Sequence, residues 1–200
     1  VKMYNEIKEI IEHGDEYFDI TAIYKYFPVR RKNGKEKNEF SLEILSDDLT
    51  EVIETFNFPR QKYGQYLSLN DYVNPDGIDY VGFFVVTAGE KSRIVSNELK
   101  AKGEFYKGHL VNSIGLELAE ATSEYIHQIM RKDVGIIDKD LQTEDILKAN
   151  YQGNRYSFGY PACPDLSDQK KLFKLLKPEI YGIKLTDEFM MYPEASVSAI

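Results

Sequence analysis

The first half of the chain alternates apolar and polar residues, whereas the second half spaces its apolar residues at helical intervals. Residues 20–29, 40–45 and 49–58 carry β-branched and aromatic side chains in the alternation typical of strands. Residues 79–87 have almost no polar interruption, which predicts a central strand covered on both faces. Ahead of these strands, the isoleucine spacing over residues 3–13 predicts a helix.

After residue 89 the spacing predicts helices over 90–101, about 105–131, 143–149 and 167–176. The long second helix has apolar residues at steps of three and four, which predicts one buried face. That predicted face consists of Leu110, Ile114, Leu118, Ala121, Tyr125 and Ile129.

Helix ends are indicated by polar residues that accept hydrogen bonds from free backbone N–H groups. We predict Thr143 as the N-cap of the third of these helices and Ser167 as that of the fourth. The tail after residue 188 is predicted to be irregular or a short strand. Strands that precede helices, without βαβ alternation, favour the α+β class.

Composition fits one soluble domain over residues 1–200, because a chain of this length buries a substantial core. Hydrophobic residues make up 42% and charged residues 29%, which argues against disorder. The net charge of −8 disfavours a nucleic-acid-binding protein, since phosphate neutralisation needs clustered lysine and arginine. The one basic cluster, residues 30–37, is interpreted as a solvated turn.

A single cysteine, Cys163, excludes an internal disulfide and fits a reducing compartment. The first residues contain no long apolar run, so we expect no secretory signal and a cytoplasmic protein. The longest apolar stretch, residues 80–86, is too short to cross a bilayer, and no membrane association is expected.

The segment from Tyr151 to Pro164 concentrates one arginine, three tyrosines, two glycines, two prolines and the cysteine. Its prolines and glycines exclude a helix, and its aromatic content is too high for a solvated linker. We therefore predict an ordered loop that presents Arg155 and backbone groups to a ligand. The alternative is that Arg155 pairs with a nearby acid, and composition alone favours this ion pair.

Other candidate groups are weaker. Glu117, Glu120 and Glu124 share one helix face, which is more typical of a solvated acidic surface than of a site. Glu124 and His127 have the Glu-x-x-His spacing of di-iron bundles, but such a centre needs a second motif and the chain has three histidines. Cys163 has no neighbouring histidine, which is typical of a packed residue rather than a nucleophile.

The run Tyr151-Gln-Gly-x-Arg155-x-x-x-Gly159-Tyr160-Pro-Ala-Cys-Pro164 resembles the signature loop of the activation, or reactivation, domain of cobalamin-dependent methionine synthase. Residues 79–87, 118–127 and 185–198 look like the central strand, the long helix and the closing segment of that domain. The resemblance covers about residues 20–198. It implies one C-shaped α+β domain with a bent, twisted antiparallel sheet flanked by helices.

The resemblance implies that the loop binds S-adenosylmethionine. Carried over by position, Arg155 holds the ligand carboxylate, and the backbone of Tyr156, Tyr160 and Ala162 contacts the rest of the ligand. Glu120 neutralises the ammonium or sulfonium group. No residue of the chain is assigned a catalytic role, and no metal is expected on it.

The implied function is reactivation of a cobalamin that has oxidised to the inert cob(II)alamin state, with one electron supplied by a flavodoxin-like donor. Cobalamin is carried by the partner, a methionine synthase on which we expect the chain to act in trans. By this resemblance we expect no counterpart here of the family's Asp-Trp motif or of its last strand and loop, and Ala149 stands where many relatives have an acid. Two alternatives remain: a docking module that no longer binds the ligand, and an independent small-molecule methyltransferase.

Overall fold

Five antiparallel strands form the main sheet of the protein, which is described by a computed structural model over residues 2–33, 40–138 and 141–200. The strands are β1 (Thr21–Asn33), β2 (Phe40–Leu45), β3 (Val52–Phe56), β4 (Ile78–Thr87), β5 (Lys184–Leu185), β6 (Met191–Tyr192) and β7 (Ser196–Ala199). The main sheet has the order β3-β2-β1-β4-β7, and β5 pairs with β6 in a separate ribbon. The predicted α+β class with an antiparallel sheet is confirmed.

Helices surround this sheet. They are α1 (Lys2–Glu12), α2 (Gly14–Tyr17), α3 (Lys91–Ala101), α4 (Phe105–Asp133), α5 (Thr143–Leu147) and α6 (Gln169–Leu176), with short 3-10 turns at Leu69–Tyr72, Leu166–Asp168 and Pro178–Tyr181. None of the helices in the described ranges is long and apolar enough to span a membrane.

Strand β4 divides the core into two layers, because its consecutive side chains point to opposite faces. Phe83 and Val85 belong to a cluster that includes Leu172 of α6. Phe84 and Val86 belong to a second cluster on the α4 side. The prediction of a strand covered on both faces is therefore confirmed for the second half of β4.

The interpretation of residues 30–37 as a solvated turn is wrong for its first part. Strand β1 continues through Arg30 to Asn33 and pairs with β2, with Arg30 opposite Glu43. The buried Glu43 accepts hydrogen bonds from Lys32 and Arg30, which together hold its pKa below the usual range. The backbone hydrogen bonds between β1 and β2 and the charged hydrogen bonds to Glu43 stabilise the end of β1, although its residues are basic. Residues 34–37 lie outside the described part of the chain.

The predicted buried face of α4 is displaced by about one residue. Ala121 and Tyr125 are exposed, and the residues that are buried instead are Gly108, Val111, Gly115, Ala119, Ser123, Ile126, His127, Met130 and Arg131. Small residues occupy part of this face because α3 packs closely against it. A Cβ added at Gly108 would lie 2.8 Å from the carbonyl oxygen of Ser96.

Both predicted N-caps are corrected. Gln142 caps α5, and its backbone N–H in turn bonds to the Asp145 carboxylate, so Thr143 is the first helical residue. Asp165 caps the turn before α6 by accepting from the backbone N–H of Ser167 at 2.9 Å. A 3-10 turn therefore precedes α6 and shifts its cap upstream.

Replacing Gly89 with alanine is expected to destabilise the protein by about 2 kcal/mol or more, because strain and a steric clash add. Gly89 has a φ of +83°, and an added Cβ would lie 2.8 Å from the carbonyl oxygen of Asp19. Gly103 is a matched control, since its φ is +84° and no atom lies within 4 Å of the added Cβ. Gly103→Ala is expected to lose about 1 kcal/mol. Equal losses in urea unfolding would contradict the clash at Gly89.

Candidate functional site

The loop over residues 151–164 is held against the sheet by backbone and aromatic contacts. Phe158 is buried in the first cluster, with its ring 6.2 Å from that of Phe56. The peptide N–H of Tyr156 donates to the carbonyl of Ile200 at 2.8 Å, and the reverse bond is 3.1 Å long. A tight turn closes between Gly159 and Cys163, which leaves Tyr160 exposed at its tip.

A cleft of about 670 Å³ lies beside this loop. Its walls come from α4, from the loop and from the segment that leads into β7. A volume in this range is typical of small-molecule sites in proteins. The cleft therefore has a volume suited to a small-molecule ligand.

Four of the five residues predicted from the sequence line this cleft. Arg155, Tyr156, Tyr160 and Glu120 contribute to its walls. Ala162 is outside the lining and packs against the first hydrophobic cluster. The peptide N–H and carbonyl of Tyr156 are bonded to Ile200, and its backbone contact with a ligand stays a prediction.

Arg155 is held by two carboxylates of α4. Its Nε donates to Oε2 of Glu124 at 3.1 Å, and its Nη2 donates to Oε2 of Glu120 at 3.2 Å. The Nη1 group of Arg155 donates no hydrogen bond to the described residues. The ion pair that composition favours is thus present, and a cleft lies beside it as the ligand interpretation requires. The ligand role of Arg155 stays a prediction.

Glu120 and Glu124 differ in exposure, and this difference determines how firmly each one holds Arg155. The Glu120 side chain is 59% exposed, whereas that of Glu124 is 20% exposed. Burial tends to raise the pKa of Glu124, but hydrogen bonds from the hydroxyl of Tyr151 and from Arg155 outweigh it, so the pKa is lowered. Glu124 is therefore a fixed carboxylate that positions Arg155, and Glu120 is the more adaptable partner.

A second group of side chains, largely buried, lies next to Glu124 on the side away from Arg155's other partner, Glu120. Arg131 is 4% exposed, donates to Nδ1 of His127 at 2.9 Å and pairs with Asp138. Its guanidinium lies 3.8 Å from the centre of the Tyr151 ring. Because Arg131 always donates, His127 accepts at Nδ1 and carries its proton on Nε2. Burial, and then the charge of Arg131, lower the pKa of His127 to about 4.

The buried His127 is expected to make the protein less stable in mild acid. Its folded pKa of about 4 lies below the ordinary 6.5, so the unfolded chain takes up the proton first as pH falls. The stabilisation is complete above pH 6.5 and is lost toward pH 4, by about 3 kcal/mol at most. Urea unfolding of the parent and of His127→Gln across this range tests it.

The exposed His109 supplies the matched control for this measurement. His109→Gln is expected to keep the parental slope of stability against pH, whereas His127→Gln flattens it. A slope that is the same in all three proteins would contradict the assignment to His127.

Two further candidates from the sequence are a Cys163 nucleophile and a metal site. Cys163 is 1% exposed, and its thiol donates to the carbonyl of Ser157 at 2.9 Å. Burial, with a contribution from Asp168, raises its pKa to about 12, which is unsuited to a nucleophile. Across the described residues, no group of three or more histidine, cysteine, aspartate or glutamate side chains is arranged to hold a metal ion.

Sequence reasoning missed several residues of the cleft. The sequence predicts Glu124 only as part of an acidic face or a metal motif, although the four-residue step from Glu120 places the two side chains next to each other on α4. Glu194 and Ser198 reach the cleft from the β7 segment, and Met191 precedes them in β6. No local pattern in the sequence indicates that this segment faces the Arg155 loop, because the pairing of β7 with β4 spans more than 100 residues.

Comparisons with known proteins agree with the fold and identify a family. The sequence model of the family described as vitamin B12 dependent methionine synthase, activation domain, matches residues 1–200. Methionine synthase of Mycobacterium tuberculosis (strain ATCC 25618 / H37Rv) is 32% identical over 192 residues, and that of Mycobacterium leprae (strain TN) is 31% identical over 192 residues. Each alignment covers 89% of this chain and 16% of the relative, so the chain spans about a sixth of their length.

A solved structure shows the same fold. The crystal structure of the MetH reactivation domain bound to AdoHcy superposes with a TM-score of 0.86 and 27% sequence identity. The alignment covers 99% of this chain and 63% of that one. The signature loop, the sheet and the family match lead to one conclusion: this chain belongs to the family of activation domains of vitamin B12 dependent methionine synthases.

Proposed function

We propose that this chain binds S-adenosylmethionine in the Arg155 cleft and so supports reductive remethylation of the cobalamin of a methionine synthase. Three observations support the proposal. The chain belongs to the activation-domain family, its fold matches a domain bound to AdoHcy, and a cleft of suitable volume lies beside Arg155. The observation that carries it is the guanidinium of Arg155 at the wall of that cleft, with Nη1 unbonded by the described residues.

Arg155 receives the ligand carboxylate by exchange with Glu120 in this proposal. An ion pair as exposed as that of Arg155 with Glu120 contributes about 0–1 kcal/mol, so a second carboxylate can replace it at little cost. The bond from Arg155 to Glu124 remains and keeps the guanidinium oriented. Glu120, once released, is close enough to pair with the α-ammonium group of the same ligand.

The remaining walls suit the adenine ring and the sulfonium. Tyr156 and Tyr160 offer aromatic faces, which stack on a base and attract a cation. Met191 adds a polarisable thioether surface. Ala162 is the least supported of the predicted contacts, because it packs against the first hydrophobic cluster and is not among the residues that line the cleft.

The proposed partner carries the cobalamin, and this chain supplies the methyl donor. A bound cobalamin supplies the reactive centre that accepts the methyl group. The residues of this chain bind the donor, orient it and shield it from water. We propose that the domain acts in trans in the cytoplasm, with an electron from a flavodoxin-like donor.

Reconstitution tests the proposal. A methionine synthase deprived of its own activation domain is placed in the cob(II)alamin state and mixed with this chain, S-adenosylmethionine and reduced flavodoxin. We expect the absorbance of methylcobalamin to return only when all components are present. No return, with a native activation domain working in the same assay, would refute the function.

A second candidate function is docking to a cobalamin protein without a small ligand. The observations that favour it are the ion pairs that already engage Arg155 and the peptide group of Tyr156 that is bonded to Ile200. Calorimetric titration separates the two: heat from S-adenosylmethionine supports the first function. Association with the cob(II)alamin synthase in the absence of any such heat supports the second.

A further inference from the structure

The cleft has an excess of negative charge. Among the described residues that line it, Glu120, Glu124 and Glu194 are acidic and Arg155 is the one permanent cation. Two of the three carboxylates share that cation. A ligand that brings a further positive charge is therefore favoured over an otherwise identical neutral one.

Glu194 is the carboxylate without a partner. Its side chain makes no ion pair or hydrogen bond with the described part of the chain, and the residue is exposed. Its backbone is nevertheless fixed, because its carbonyl accepts from the N–H of Ser196 at 2.8 Å. The Ser196 hydroxyl lies 2.8 Å from that of Thr87 in β4, which ties this turn to the sheet.

Glu194 reaches the cleft from a different part of the chain than the groups proposed to recognise the amino-acid part of the ligand. Arg155 and Glu120 lie on the loop and on α4, whereas Glu194 lies between β6 and β7, close in sequence to Met190 and Met191. Both methionines line the same cleft. A carboxylate beside polarisable thioethers provides a suitable environment for a sulfonium cation.

We infer that Glu194 makes the cleft select the sulfonium cation of S-adenosylmethionine over the neutral thioether of AdoHcy, an inference that rests on the proposed function. The two ligands share their carboxylate, ammonium and adenine groups, so contacts to those groups bind both equally. They differ by one methyl group and one positive charge at sulfur. A negative charge near the sulfur therefore favours the sulfonium over the thioether, and such selection lets the demethylated product leave.

Titration of both ligands into the parent and into Glu194→Gln tests this inference. We expect the dissociation constant for S-adenosylmethionine to rise roughly three- to tenfold, as for one Coulomb contact at a partly exposed site. The constant for AdoHcy is expected to change less than about twofold. Glu194→Lys is expected to weaken S-adenosylmethionine further. In about 1 M salt, screening should reduce the preference of the parent itself.

Glu179→Gln is the matched control, because Glu179 is also exposed but lies outside the cleft lining. An equal loss in this control would overturn the inference, since net charge alone would then explain the effect. So would an unchanged ratio of the two affinities in Glu194→Gln, and in that case the proposed function stands. Binding of neither ligand by the parent would overturn the proposed function and this inference together.

Discussion

Replacing Arg155 with alanine is expected to weaken S-adenosylmethionine binding by at least about 2 kcal/mol, or roughly 30-fold, and by up to about 5 kcal/mol. The substitution leaves the ligand carboxylate without its fixed cation. It also leaves Glu124, 20% exposed, facing the cleft without one of its donors. Both effects oppose an anionic group at this position. Isothermal titration of the folded variant measures the loss.

Arg60→Ala provides the control for this prediction. Arg60 is similar in exposure, 33% against 21%, and pairs with Asp71 rather than with a residue of the cleft. Its removal is expected to leave the affinity within about twofold of the parent. Arg155→Lys retains the charge but loses the planar fork, so an intermediate affinity is expected. Parental affinity in Arg155→Ala would show that the ligand carboxylate binds elsewhere.

Replacing Phe56 with alanine is expected to lower the free energy of unfolding by about 3–5 kcal/mol, because it leaves a large cavity. Phe56 is fully buried, and its ring lies 5.7 Å from that of Phe58 and 5.2 Å from that of Phe83. It also contacts Phe158, the residue that anchors the Arg155 loop. The variant should therefore lose ligand affinity together with stability.

Phe56→Leu separates these effects, since it keeps most of the volume and is expected to cost about 1–2 kcal/mol. Chemical unfolding gives the stability of both variants, and titration below the unfolding midpoint gives their affinity. A loss below about 1 kcal/mol for Phe56→Ala would contradict the central position of this ring.

The strands were predictable because their signal is local. β1 and β2 show alternation within their own segments, and the nearly unbroken apolar run of β4 reflects a strand that packs toward α6 with one face and toward α4 with the other. The phase of α4 was not predictable from apolar periodicity. Gly115 and Ser123 are buried where α4 packs against its neighbours, whereas Tyr125 is exposed. A stripe of large apolar residues therefore identified the helix but placed its buried face incorrectly.

The candidate site was predictable in part for a similar reason. Arg155 and its tyrosines lie in one continuous segment, so composition and family resemblance both point to them. Glu124 lies 31 residues away and Glu194 lies on the far side of α6 in sequence. Their proximity depends on how helix and sheet pack, which is a tertiary property that no short window of sequence contains.

The close packing of α3 on α4 has a consequence for how the cleft adapts. Gly108 packs closely against the backbone of Ser96 in α3, and Gly115 packs closely against the Ser92 side chain, so a sliding movement of the two helices would require repacking at both glycines. The wall of the cleft that α4 forms, with Glu120 and Glu124, is thus stiff. The opposite wall, which includes Tyr160, has to accommodate ligands of different size. Soaked crystals should accordingly superpose on this helix pair, with the displacement confined to Tyr160 and the methionines beside it.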